Sequence, residues 1–174
     1  HFLRAISTAK KPIVAAVNGV AVGIGTTMLL HCDLVYAGHG ARFQLPFVNL
    51  GLVPEAGSSL ILPQMIGHRR AAELLLLGDP FNAETAHELG IVNSVVADGD
   101  VLATALHAAA QLAAKPPHAL RLSKQLLKQH SGAAVQAAMT EEGAHFANLL
   151  TSPEAAEALQ AFLEKRKPDF SRFE

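Results

Sequence analysis

The sequence predicts an α/β protein: a core of alternating strands and helices followed by a purely helical extension. Three observations carry this. The first half is rich in Gly and Val and breaks into short apolar runs separated by turn residues. The second half is rich in Ala, with apolar residues at helical spacing. Half of the 174 residues are hydrophobic and only 17% are charged, so the chain can bury a sizeable core and is not of disordered composition.

Residues 2 to 9 read as the end of a helix, closed by Lys10, Lys11 and Pro12. Ile13 to Val17 is a short, partly β-branched run of the kind found in buried strands. Asn18-Gly19 between apolar runs fits a two-residue hairpin. With Gly23-Ile24-Gly25 following, it also fits a chain running on into a tight strand-to-helix turn, with a helix over about Thr26 to His31. Asp33 to Ala37 and Ala41 to Gln44 are the next strand candidates, on either side of a His39-Gly40 turn. A helix is expected to start at Gly57-Ser58-Ser59, with the serines capping exposed N–H groups. Another spans His68 to Leu77 and stops at Gly78-Asp79-Pro80. Asn82 to Leu89 carries Asn at its start and Gly90 just past its end. Ile91 to Val96 is the last predicted strand. Helices follow over Val101 to Ala114 and Leu120 to His130. In the next segment Val135, Met139, Phe146 and Leu150 share one face. The last helix opens at Ser152-Pro153-Glu154, with a capping Ser and a Pro in the first turn. The domain division read from this pattern is a core over 1–98 and a helical region over 99–174.

The formal net charge of −1 argues against a broad nucleic-acid-binding face. The most apolar stretch, Ile13 to Leu30, is interrupted by Asn18, Gly19, Gly23, Gly25, Thr26 and Thr27 and does not read as a membrane span. Cys32 is the single cysteine, so no internal disulfide is expected, which fits a reducing compartment. His31, His68, His87 and His107 show no spacing suited to a metal site, so no metal and no redox cofactor are expected. Ser58 and Ser59 lack the G-x-S-x-G elbow of serine hydrolases. The chain opens with His1 directly into a helix and reads as beginning partway through a longer protein.

Two segments carry the chemistry. In KPIVAAVNGVAVGIG, Lys11 to Gly25, a strand enters a Gly-rich turn at a helix start, where unpaired N–H groups can hold a phosphate or stabilise a developing oxyanion. The glycines also fit a plain packing role, and their spacing is not the dinucleotide-binding G-x-G-x-x-G. In PFVNLGLVPEAGSS, Pro46 to Ser59, Glu55 follows Leu50, Leu52 and Val53. A carboxylate among apolar neighbours has its charged form disfavoured and suits a general base near neutral pH. A solvated Glu near a helix start is the plainer reading of that residue taken alone.

Order and spacing of these segments resemble the crotonase (enoyl-CoA hydratase/isomerase) superfamily. AAVNGVAVGIG, Ala15 to Gly25, is similar to its strand-to-helix oxyanion segment, and Cys32-Asp33-Leu34-Val35-Tyr36-Ala37 to its CD-x-x-Y-A segment. Phe43 and LGLVP, Leu50 to Pro54, follow as in the family. Leu74 to Val96 and FLEKRKPDF, Phe162 to Phe170, resemble its later blocks. The implied fold is a ββα spiral core, lacking its N-terminal part, with a C-terminal helical trimerisation region. Hydratases of the family carry two glutamates at the positions held here by Thr27 and Phe47. The chain is therefore most similar to the peroxisomal-type Δ3,Δ2-enoyl-CoA isomerases, whose single catalytic glutamate matches Glu55 and whose P-F pair matches Pro46-Phe47. Ala56 stands where those isomerases often have Gly.

The resemblance implies Glu55 as the proton-transferring base, the Ile24 N–H as one oxyanion donor, and Gly23, Gly25, Phe47 and Leu50 at the substrate. It implies an acyl-CoA thioester as partner, with coenzyme A part of the substrate, and a homotrimer or dimer of trimers. A second oxyanion donor and much of the nucleotide pocket are expected upstream of Phe2. Lys165, Arg166, Lys167 and Arg172 read either as a solvated helix end or as packing near a neighbour's CoA phosphates. A non-catalytic acyl-CoA-binding scaffold on the same fold, or another crotonase activity such as hydratase, is the rival reading. Ser171-Arg172-Phe173-Glu174 is not a Ser-Lys-Leu peroxisomal address, and the cytoplasm is the default location.

Overall fold

In the computed structural model, which describes residues 1–173, the short apolar runs become six strands divided between two small sheets. Strands β1 (Val14–Val17), β3 (Leu34–Gly38) and β6 (Ser94–Val96) form one sheet in the order β1-β3-β6, all parallel. Strands β2 (Val20–Val22), β4 (Arg42–Gln44) and β5 (Phe81–Asn82) form the other, with β2 and β4 parallel and β4 and β5 antiparallel. The hairpin option at Asn18-Gly19 is thereby corrected. β1 pairs with β3 and β2 with β4, so Asn18-Gly19 is a corner at which the chain leaves one sheet for the other. His39-Gly40 repeats that corner one layer on, and the Arg42 N–H donates to the Gly19 carbonyl to stack the two corners. A Cβ on Gly38 would lie 2.2 Å from Asp98 Oδ1, so only glycine lets Asp98 approach and accept from the Gly40 N–H at 2.9 Å.

Helix α1 (Phe2–Ser7) precedes β1, and α2 (Ile24–Thr27) follows β2. The helix expected over Thr26 to His31 is realised as α2 plus a tighter 3₁₀ turn, Met28–His31, which turns the buried His31 toward the core. Helices α3 (Ser58–Ile66), α4 (His68–Ala72) and α5 (Ala83–Glu88) complete the core. The stretch predicted as one helix over His68 to Leu77 widens into a π-helical turn at Glu73–Leu77 before left-handed Gly78. Asn82 caps α5 by accepting from the Thr85 N–H at 2.8 Å, as its position in the sequence predicts. The centre holds Phe43 stacked on Phe81 with ring centroids 5.6 Å apart, packed among Leu45, Leu62 and Val92.

Helix α6 (Val101–Ala113) covers the first sheet through Val101, Ala105 and Ala108, which recur on one face. The remaining helices are α7 (Pro117–Lys128), α8 (Gly132–Leu149) and α9 (Pro153–Leu163). α7 is fastened to the core by buried Lys124, whose Nζ donates to Asp33 Oδ2 at 2.6 Å and to the Lys11 carbonyl at 2.7 Å. Asp33 Oδ2 also accepts the Ile13 N–H at 2.7 Å, so one carboxylate joins the starts of β1 and β3 to α7. α8 packs on α3, and α9 against the 3₁₀ turn Val48–Leu50.

Part of the basic tail, though exposed, is engaged within the chain. Arg166 bonds both oxygens of buried Glu157, and Arg172 joins them. The Asp169 N–H donates to Glu157 Oε1 at 2.9 Å. A sequence reading sees cations at a helix end but not the acid, nine residues back, onto which the chain folds. These bonds, Arg166 first, hold the Glu157 carboxyl down at about 2. A carboxyl depressed on folding stabilises the fold above its unfolded value, and that stability is lost as pH falls toward the folded one. The thermal midpoint should therefore fall as pH is lowered from about 4.5 toward about 2. Glu157→Gln should flatten that slope and, near neutral pH, speed tryptic cleavage at Arg166. An unchanged acid slope would remove Glu157 from this role. Glu174, last of the C-terminal residues considered above, lies outside the described residues.

Candidate active site

The Gly-rich turn is built by backbone geometry. Gly23 has φ +55°, a region that costs L side chains energy, and its N–H donates to the Gln44 carbonyl at 2.9 Å. The Gly23 carbonyl then accepts from the N–H groups of Thr26 and Thr27, both at 2.9 Å, starting α2 abruptly. Thr26 Oγ1 donates to the Ala21 carbonyl at 2.6 Å, tying the helix to the strand before it. Ile24 is the first residue of α2, so its N–H has no acceptor one turn earlier in the helix, and its side chain is exposed.

Glu55 is half-buried beyond the 3₁₀ turn, and its Oε1 accepts from Thr27 Oγ1 at 2.9 Å. Thr27 has no exposed surface and lies three residues after Ile24, so the structure brings Glu55 to the helix that begins at the Gly23 turn. Burial raises the Glu55 carboxyl above the usual glutamate range, and the nearby charge of Glu142 adds to this, against the lowering effect of the Thr27 bond.

The remaining predicted residues are distributed around this pair. Phe47 is 4% exposed and belongs to the hydrophobic core; its ring edge lies 3.9 Å from where a Gly23 Cβ would stand, so it backs the turn. Leu50 is exposed at the end of the 3₁₀ turn. A Cβ on Gly25 would make an ordinary 3.7 Å contact with Ala21, so space alone does not demand glycine there.

The peptide after Glu55 is held in a way the sequence did not reveal. Ala56 has φ +62°, unusual for a residue with a Cβ. Its carbonyl lies 2.7 Å from His31 Nε2, which must be the protonated ring nitrogen because a carbonyl only accepts. Burial lowers the His31 pKa, favouring the neutral ring that makes this bond. The expectation that serines cap α3 is corrected here. The N-cap is Gly57, and the capping group is the Glu142 carboxylate of α8. It accepts from the Gly57 N–H at 2.6 Å, the Ser59 N–H at 3.0 Å and Ser59 Oγ at 2.5 Å. Glu142 lies three residues after Met139 and four before Phe146, so a lone acid on an apolar helix face was the available signal.

Among the described residues, no three His, Cys, Asp or Glu side chains gather to hold a metal ion, and no helix is long and apolar enough to cross a membrane. A cavity of about 640 Å³ lies between the end of α1 and helices α7 and α8, lined by residues such as Lys10, Arg121 and Gln136, and includes none of the residues above.

The two sheets, the Gly-rich start of α2 and the half-buried Glu55 carboxylate beside it together define the candidate site. A sequence model of the Enoyl-CoA hydratase/isomerase family matches residues 1–172, and the chain belongs to that family. It is 39% identical over 160 residues to a 2,3-dehydroadipyl-CoA hydratase of Escherichia coli, covering 92% of this chain and 63% of the relative. It is 37% identical to enoyl-CoA delta isomerase 2 of Rattus norvegicus, covering 91% of this chain and 40% of that protein. The crystal structure of an enoyl-CoA hydratase/isomerase from Pseudoalteromonas atlantica superposes with a TM-score of 0.94 at 47% identity, covering 98% of this chain and 68% of that one. The chain thus spans less than two thirds of the length of these curated relatives.

Proposed function

We propose that the protein is an enoyl-CoA isomerase that moves the double bond of a 3-enoyl-CoA to the 2-position, with Glu55 as the base. The observation that carries this reading is the half-buried carboxylate of Glu55, held by Thr27. Thr27 and Phe47 occupy the two positions where the resemblance implies hydratase glutamates, and neither side chain can activate a water as a carboxylate does. Glu55 takes a proton from C2, the charge of the resulting dienolate spreads onto the thioester oxygen, and the same carboxyl returns the proton at C4. One acid suffices because the proton crosses only an allyl unit. The Ile24 N–H stabilises the oxygen, with a second donor expected from a segment upstream of α1; one such donor is worth on the order of 100- to 1000-fold in rate.

Similarity to a hydratase supports the second reading, water addition to a 2-enoyl-CoA. Incubating the intact protein with 3-enoyl-CoA and, separately, 2-enoyl-CoA distinguishes them. Conjugation of the first without hydration of the second supports the isomerase, the reverse supports the hydratase, and acyl-CoA binding without either supports a scaffold.

Thr27→Val removes the donor and keeps the shape. Because the Thr27 bond lowers the Glu55 pKa, its loss should move the acidic limb of kcat/KM to higher pH and reduce kcat roughly 10-fold, the scale of one hydrogen bond to a charged group. A limb that moves the other way would contradict the bond's role.

The exposed Leu122, Leu126 and Leu127 of α7 and Leu159, Phe162 and Leu163 of α9 support assembly as a homotrimer or dimer of trimers, which sedimentation of the intact protein would read.

A further inference from the structure

The proposed proton transfer gives no task to Glu142, yet this acid from α8, 7% exposed, touches the turn that carries Glu55. We infer that Glu142 is a positioning residue for Glu55: reaching across from α8, it fixes the 55–59 turn so that the Glu55 carboxylate meets Thr27 at α2. The inference rests on the reading of Glu55 as the base.

Its basis is the peptide unit joining Ala56 to Gly57. The carbonyl of that unit faces His31 Nε2, and its N–H points at Glu142 Oε2. Both polar atoms of one peptide are therefore gripped, from elements that follow β2 and lie in α8. Such a grip is what a left-handed Ala56 requires, because a disfavoured backbone conformation persists only where its surroundings over-determine it. Rotating this peptide would swing Glu55, the residue before it, away from Thr27. Glu142 Oε1 adds the Ser59 N–H and hydroxyl, so the carboxylate satisfies two of the N–H groups left open at the α3 start and lies at the positive end of its dipole.

The charge of Glu142 has a second consequence. The groups facing Glu55 are Thr27, which is uncharged, and Glu142, whose negative charge favours the protonated form of Glu55. Facing Glu142 are His31, whose burial favours the neutral ring, and beyond it Lys128, which donates to the His31 carbonyl. Removing the Glu142 charge should therefore lower the proton affinity of Glu55.

Glu142→Gln and Glu142→Asp, with Glu55→Gln beside them, test this in the intact protein. Gln keeps the length but turns an N–H₂ toward donors; Asp keeps the charge but falls one methylene short. Both should lower kcat about 10- to 100-fold with KM for 3-enoyl-CoA changed less than about 3-fold, the split expected when the base is misplaced and substrate contacts are intact. Loss of the Thr27 bond should move the acidic limb to higher pH in Glu142→Asp, and in Glu142→Gln the removed charge should offset part of that shift. The Glu55 carboxyl titration, followed by carbon NMR and assigned with Glu55→Gln, should shift the same way and needs no turnover. If both variants keep kcat within 2-fold, or if the limb and titration stay in place in Glu142→Asp, the inference is wrong and the base assignment stands. If Glu55→Gln itself keeps the wild-type rate, the base assignment fails, and the NMR titration alone then decides whether Glu142 acts on Glu55.

Discussion

Glu55→Gln should lower isomerisation of a 3-enoyl-CoA by roughly 10²- to 10⁴-fold, the contribution of a positioned acid–base group. The amide is nearly isosteric, and its oxygen can still accept from Thr27 Oγ1, so the 2.9 Å contact and the local fold have no reason to change. Only the capacity to take a proton is lost. Acyl-CoA affinity should consequently stay within a few-fold of wild type, and the loss should appear in kcat. In the wild type the base must be ionised to work. Burial raises the Glu55 pKa, so activity should fall as pH drops through a value above the usual glutamate range, and this limb should vanish from the residual rate of the variant. Retention of wild-type turnover by Glu55→Gln would remove Glu55 from the reaction.

Lys124→Met should destabilise the protein by about 2–3 kcal/mol. Breaking a fully buried ion pair by deleting one partner costs ~3–5 kcal/mol, because the other charge is left buried and uncompensated. The Asp33 side chain is 21% exposed against 6% for Lys124, so water can reach the abandoned carboxylate and the cost falls to the bottom of that range or just below it. Met retains the apolar stem, which isolates the loss of the ammonium from the loss of packing. For a chain of this length the thermal midpoint should fall by about 5–10 °C. Adding Asp33→Asn should recover part of the loss, since the double variant leaves no unpaired charge. A single variant within 0.5 kcal/mol of wild type would show that the link between α7 and the first sheet is not held by this pair.

The sequence exposed most of what depends on neighbours along the chain. The strand Ile13 to Val17, the Gly23 turn, the Asn82 and Ser152 caps and the face shared by Val135, Met139 and Phe146 follow from spacing and residue type. Each depends on backbone sterics or on a hydrogen bond spanning three or four residues. The place of Glu55, at a turn among apolar neighbours, was legible for the same reason, whereas its proposed role as the base came from the resemblance. The Asn18-Gly19 corner was not, because a hairpin and a crossover share the same local turn chemistry and differ only in which distant strand supplies the partner.

Residue order alone thus determined the family and the α/β core with its helical extension, and singled out Glu55 as the residue proposed to move a proton. Tertiary structure decided what surrounds that residue: Thr27 against its carboxyl, and His31 and Glu142 on the two ends of the peptide that follows it. It also decided that Lys124 meets Asp33 and that Glu157 takes in Arg166 and Arg172. The physical reason is range. Propensity, capping and periodicity act over a few residues, whereas Glu142 meets Gly57 across 85 positions of chain, through packing that no local pattern encodes.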